Sequence, residues 1–243
     1  MKRLALVLLF LPITANAWTR ASDQRIAIKA LALAPPDLQM MLEKFQPEYL
    51  AGLEQAEAHE GSEGHHYYVL SRAGKLRERL ELGTFTAVAM IRRGDSMGAV
   101  AGQLGLLAHL VADANNPFHT ANDDPRMALV HDDFEQYFER RLSRFPTVFY
   151  GLDPHFTLDS FLDRTLARSA GFYPLMESEY FAGGERHSSS TFDDRSTAFG
   201  VASVSYSHSV TDLANLYFYI WKQAGGDVRI ASRMRSMQVL GGN

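Results

Sequence analysis

The 243-residue sequence contains no cysteine, so neither disulfides nor thiolate metal sites hold this chain together. Nor does it carry a basic surplus: 24 Lys and Arg stand against 28 Asp and Glu, a net charge of −4. That balance excludes the basic stripe needed for extended nucleic-acid binding. It does not exclude a small phosphate-bearing substrate, because bound metal ions would add positive charge that residue counting omits. Beyond residue 17 no continuous apolar run reaches bilayer-spanning length. Alternating strand-like runs bounded by hairpin turns are missing, as are internal repeats, heptads and low-complexity tracts. With 46% hydrophobic and 21% charged residues, one all-α domain, a single multi-helix bundle, is the expectation.

The first residues do contain an apolar stretch. Lys2 and Arg3, then Leu4 to Ile13, then Ala15-Asn16-Ala17 have the layout of a secretory signal peptide over residues 1–17, with a mature chain 18–243 beginning at Trp18. The stretch is too short to serve comfortably as an uncleaved anchor. Export to the periplasm or out of the cell is therefore expected, leaving 22 Lys and Arg against 28 Asp and Glu, a net charge of −6. An exported chain without disulfides needs other reinforcement, and bound metal is one source of it.

Helical periodicity organises the remainder. Ser22-Asp23 opens a first helix that stops before Pro35-Pro36. A second is expected over Asp37 to Glu57, followed by a polar loop at His59 to Gly64. Two further helices are predicted at Tyr67 to Leu82 and Thr84 to Arg93, and Gly94-Asp95-Ser96 opens a long apolar one containing His109. Asn115 to Arg126 is a turn-rich interruption, and Met127 to Phe145, Leu158 to Tyr173 and Thr197 to Trp221 resume the helical pattern.

Chemistry concentrates where the apolar helix meets that interruption. His109, Asp113, His119, His131 and Glu135 fall within 27 positions, four of them as i, i+4 pairs that a helix places on one face. A single His-xxx-Asp pair more often lines a core than binds metal; two such pairs with a histidine between them reverse that expectation. Imidazole and carboxylate are the donors that suit zinc where thiols are absent. His65 and His66 follow the polar loop, and either one is placed to reach a metal from the opposite side of a bundle. His59, His155, His187 and His208 lack partner spacing and read as surface or hydrogen-bonded residues. Cleavage before Trp18 would also create an α-amino group that chelates metal together with its own carbonyl.

Taken in order, Trp18, His109-xxx-Asp113, Asp113-Ala-Asn-Asn-Pro-Phe-His119-Thr-Ala-Asn122 and His131-xxx-Glu135 resemble the zinc-dependent phospholipase C family. That family shares a helical trinuclear-zinc fold with the fungal single-strand-specific nucleases. The resemblance implies three zinc ions per chain. His119, His131 and Glu135 would hold one. His66, His109 and Asp113 would hold a second, together with Glu57, five positions after Gly52, or with Glu54 one turn earlier. Asp113 would bridge to a third ion chelated by Trp18. Where the family places a histidine for that third ion, this chain offers Asp23, and Ala21 occupies the region of the acidic residue that helps hold choline in some members.

The implied activity is hydrolysis of a phosphodiester, with a phospholipid as substrate, membrane-surface contact as a corollary, and Glu57 as the base that accepts a proton from water. Two other readings stand beside it: a single-strand-specific zinc nuclease using the same metals, and a noncatalytic zinc-binding envelope protein.

Overall fold

The computed structural model describes residues 20–58, 62–121 and 124–228, with Glu57, Ala58 and Ser62 given by backbone alone. Trp18 and the segment read as a signal peptide lie outside the described residues. Among the described residues ten α-helices follow one another: α1 (Arg20–Leu31), α2 (Pro36–Lys44), α3 (Gln46–Ala58), α4 (Leu76–Arg93), α5 (Met97–Ala114), α6 (Pro117–Thr120), α7 (His131–Arg141), α8 (Leu158–Ala170), α9 (Tyr173–Tyr180) and α10 (Thr197–Gln223). Among the described residues there is no strand, only an isolated antiparallel bridge between Tyr68 and Ala73. The chain is a single all-α domain, as the periodicity predicts.

Helix α5 is the axis of the bundle. Ser96 starts it by accepting a hydrogen bond from Ala99 N at 3.3 Å, just after Gly94, at φ 75°, has closed α4 in the left-handed conformation. From Leu107 to Ala114 every residue is buried, because α1, α3, α4, α8 and α10 all pack on it. By length and composition α5 could cross a membrane, but here it is a core helix enclosed by its neighbours.

The contact of α5 with α3 is backbone on backbone. A Cβ at Gly105 would sit 1.8 Å from the Tyr49 carbonyl oxygen, and one at Gly52 would sit 1.9 Å from the Gly102 carbonyl oxygen. Only glycine permits that approach, and it draws the carboxyl-terminal half of α3 against the turn of α5 that leads to His109.

Helix boundaries differ from the sequence reading in several places, and the helix expected over Met127 to Phe145 is α-helical only over His131–Arg141. The helix expected over Asp37 to Glu57 breaks at Phe45, because Pro47 supplies no N–H for continuing it. The two helices expected from Tyr67 to Arg93 are one helix that begins later, at Leu76, and runs through Gly83. The residues before it, 66–75, are instead folded back, with Tyr67 N and Val69 N donating to the carbonyls of His119 (2.9 Å) and Thr120 (3.2 Å). Tertiary hydrogen bonds override local helical periodicity there. Helix α9, lying within what reads as connecting chain, is held by buried Tyr173, Met176 and Tyr180.

The long C-terminal helix also supports an extended stretch. Ser207, Thr211 and Asn215, one turn apart on α10, accept hydrogen bonds from the backbone N–H groups of Val148 (3.2 Å), Tyr150 (3.1 Å) and Asp153 (2.7 Å). These side chains satisfy backbone groups that no sheet pairs.

Gly105→Ala must push α3 and α5 apart. A loss of about 2–3 kcal/mol is expected for such overpacking, or about 4–12 °C in Tm for a domain of this size. Calorimetry of the variant checks it, and an unchanged Tm would show that the helices are not in backbone contact.

Candidate metal centre

Two clusters of donor atoms meet where α5, α6 and α7 converge with the segment that follows Ser62–His65. In the first, His65 Nδ1 lies 2.8 Å from Asp113 Oδ2 and 3.1 Å from His109 Nε2, and His109 Nε2 lies 3.3 Å from Asp113 Oδ2. All three residues are buried. A tetrahedral zinc with bonds of about 2.0–2.1 Å separates its donors by about 3.4 Å, so this triangle is close to the size required.

In the second cluster, His119 Nε2 faces His131 Nε2 at 2.9 Å, and His131 Nε2 lies 2.9 Å from Glu135 Oε1. His66 joins them: its ring stacks on that of His119, with centroids 4.5 Å apart and planes 2° from parallel, and the donor atoms of His66, His119 and His131 lie within 4.8 Å of one another.

The local sequence explains the convergence. Asn116 caps α6 by accepting from Phe118 N at 3.0 Å, and Pro117 occupies its first turn, so the chain reverses after Asp113 and presents His119 back toward it. Asn115 fixes the preceding residue. Its amide donates to the Val111 carbonyl and to Asp212 Oδ2, both at 3.0 Å, and its oxygen accepts from Arg168 at 2.9 Å. Helix α8 grips the other side through Thr120 and Ser169 hydroxyls 2.9 Å apart.

The far nitrogens of two imidazoles are tied outward. His119 Nδ1 donates to the His65 carbonyl at 2.7 Å, which leaves Nε2 as a lone pair pointing into the cluster. His109 Nδ1 donates to Asp23 Oδ2 at 2.6 Å, directing its Nε2 inward in the same way. Carboxylate behind imidazole is the arrangement that orients zinc-binding histidines. His119 Nε2 can then only accept, and a cation between the facing Nε2 atoms would take up the lone pairs of both rings. Asp113 Oδ1 adds to this: it is buried, and no hydrogen-bond donor meets it. The residues present therefore fit zinc.

Burial pushes the Asp113 carboxyl up, but His109, His119 and His65 outweigh it and hold Asp113 below the usual carboxylate range. Burial likewise works against ionisation of Glu135 and His131; the neighbouring imidazoles of His119 and His131 outweigh it and bring Glu135 down, and Glu135 raises His131.

The structure rearranges one pairing expected from sequence. His65, rather than His66, accompanies His109 and Asp113, while His66 lies with His119 and His131. The fold-back of residues 66–75 accounts for this, since it turns the two neighbouring rings to different sides. Asp23 stands behind His109. Glu54, half-buried, pairs with Arg20 and Gln24. The backbone of Glu57 sits at the end of α3, and its side chain lies outside the described residues. Of the other histidines, His187 donates to the Ala182 carbonyl at 2.9 Å, His208 stacks on Tyr150 and His155 is exposed, while His59 is outside the described residues.

No family model and no curated protein matches this sequence. Among solved structures, the alpha-toxin of Clostridium perfringens from avian strain SWCP superposes on 88% of this chain with a TM-score of 0.65 at 13% identity. The alpha toxin from Clostridium absonum does so over 86% with a TM-score of 0.64 at 15% identity. The chain has the alpha-toxin fold. It spans 66% of the length of each toxin.

Opposite pH dependences are expected with and without metal. In the metal-free protein the raised His131 adds stability that is complete below its unperturbed value of about 6.5 and is lost as pH rises through the raised value. The lowered Asp113 and Glu135 contribute above the ordinary carboxylate range and fail only in acid. Zinc requires neutral imidazoles, so its stabilisation grows as pH rises. Thermal denaturation between about pH 6 and pH 9, with zinc and with chelator, should give diverging Tm curves; parallel curves would contradict zinc binding at these residues.

Proposed function

We propose that the protein is an exported zinc-dependent phosphodiesterase, a phospholipase C that hydrolyses the glycerol-side phosphodiester bond of phospholipids. The observation that carries the reading is the pair of imidazole–carboxylate clusters that meet where His119 comes within 3.7 Å of Asp113, set in a phospholipase C-like fold. Zinc bound there would polarise the phosphoryl oxygens and acidify a water molecule. The chain's own residues supply geometry. Asp23 and the His65 carbonyl hold imidazoles in the productive tautomer, and the buried carboxylates offset cation charge. Glu57, by resemblance, accepts the proton of the attacking water. Trp18, freed by removal of residues 1–17, would hold a third ion together with Asp23 and Asp113.

Lipid is favoured over nucleic acid by what surrounds the clusters. Leu70 is 77% exposed in the turn after His66, and Leu129 is 56% exposed just before His131. Exposed apolar side chains beside a site suit a lipid surface, and a net negative chain is poorly suited to a polyanion. Choline selectivity is not part of the proposal, since Ala21 stands where an acidic residue would be needed.

The test is hydrolysis of phosphatidylcholine, phosphatidylethanolamine and single-stranded DNA by the zinc-loaded mature protein. Phospholipid should yield diacylglycerol and a water-soluble phosphate ester, and Asp113→Ala should reduce kcat/KM at least about 1,000-fold. Preferential cleavage of DNA would assign a nuclease instead, and bound zinc without turnover of any of the three would assign a binding protein.

A further inference from the structure

Two cavities lie side by side where residues 150–156 cross α8 and α10, and no residue of the two metal clusters is among those described around them. One, of about 330 Å³, is walled by Arg164, Arg168, Asp153 and Asp212 together with aromatic rings. The other, of about 310 Å³, is mostly apolar: Leu152, Phe156, Phe218, Tyr219 and Val228 line it, beside the exposed Lys222. Each falls in the range of roughly 300–1,000 Å³ of small-ligand sites. Leu152, Asp153, Phe156 and Asn215 belong to both walls, so the two form one groove that is polar at one end and apolar at the other.

The shared wall is fixed. Asn215 accepts from Asp153 N at 2.7 Å and donates to the Gly151 carbonyl at 3.1 Å, and the Phe156 ring packs on those of Phe161 and Tyr219, with centroids 5.0 and 5.1 Å away. Two guanidinium–carboxylate pairs line the polar end, Arg164 with Asp153 at 2.6 Å and Arg168 with Asp212. Arg168 bonds through Nη2, to Asp212 and Asn115, while its buried Nε meets no acceptor. Burial and the Arg168 charge hold His208, stacked on Tyr150 in the same wall, below its ordinary value, so that ring adds no charge at neutral pH. The polar end is therefore balanced, two positive groups against two negative.

We propose that this groove is a lipid-binding site separate from the metal centre, which takes one zwitterionic phospholipid: phosphate on the guanidinium groups, ammonium against the carboxylates, and an acyl chain in the apolar cavity. A head group carrying both signs matches both members of each pair. An anion alone would also meet Asp153 and Asp212, and a cation alone would also meet the two arginines. The apolar end favours a ligand with a chain to remove from water, which a free phosphate or a soluble head group does not have. Val148, Phe149 and Tyr150, 43%, 40% and 49% exposed, put apolar surface on the same segment, next to the groove. A lipid held here touches no metal ligand, so the site binds without hydrolysing, and the proposal does not rest on the zinc reading.

Photolabelling locates the ligand directly. Dodecylphosphocholine with a diazirine at the end of its chain, kept below its micelle-forming concentration, is irradiated with the zinc-loaded mature protein, and the labelled residues are read by mass spectrometry. Label is expected on Leu152, Phe156, Phe218 or Tyr219 and should be suppressed by excess unlabelled dodecylphosphocholine. Label confined to residues 62–75 or 109–135 would put the probe at the metal centre and overturn the proposal, as would the absence of any label that competes. Arg164→Glu changes an exposed residue whose described ion-pair partner is Asp153, and it should weaken dodecylphosphocholine binding at least about 10-fold; wild-type affinity would count against the site. Dodecyl phosphate and dodecyltrimethylammonium should each bind at least about 10-fold more weakly than dodecylphosphocholine, and equal affinity for either would contradict the head-group assignment. Labelling of this groove in a protein that hydrolyses no phospholipid would support the proposal and overturn the phospholipase reading alone.

Discussion

Two buried carboxylates set the terms for this molecule. Asp113 and Glu135 lie in the interior, 0% and 4% exposed, and their described ion-pair partners are imidazoles rather than Lys or Arg. Ionised carboxylates in such surroundings are costly unless a compensating charge is at hand. Imidazole compensates only in part near neutral pH, and His119 turns a lone pair, not a proton, toward Glu135 and His131. A divalent cation would resolve both problems at once, neutralising the carboxylates and accepting the inward lone pairs that the outward hydrogen bonds have prepared.

The rest of the fold serves to keep these donors at fixed separations. The glycine-mediated contact of α3 with α5 sets how near the end of α3 comes to His109. The Asn115–Asp212–Arg168 network and the Thr120–Ser169 bond hold the two ends of the turn between Asp113 and His119, so the distance between the clusters is fixed by α8 and α10 rather than by the turn itself. Rigid support of this kind suits a multinuclear site, where small displacements of one donor alter every ion.

Much of this was legible in the sequence because it is local. The i, i+4 pairs of α5 and α7 need only helical periodicity, and the Asn-Asn-Pro-Phe-His run carries its own cap and turn. The fold class followed from periodicity as well. What escaped the sequence is long-range. Which of His65 and His66 meets His109 depends on residues 66–75 pairing with the α6 backbone, and no local signal in Tyr67-Tyr68 announces that pairing. Asp23 reads as a ligand by its place after Trp18, but its hydrogen bond to His109, 86 residues away, is visible only once α1 and α5 are packed. Ser207, Thr211 and Asn215 did carry a signal: three polar residues one turn apart on one face of α10 mark a stripe that must bond something.

The account is tested most directly by anomalous diffraction at the zinc absorption edge from crystals of the zinc-loaded mature protein. It predicts separate anomalous peaks, one beside His65, His109 and Asp113 and another beside His119, His131 and Glu135. A fully ordered centre with these side chains in place and no anomalous density at either position would contradict it.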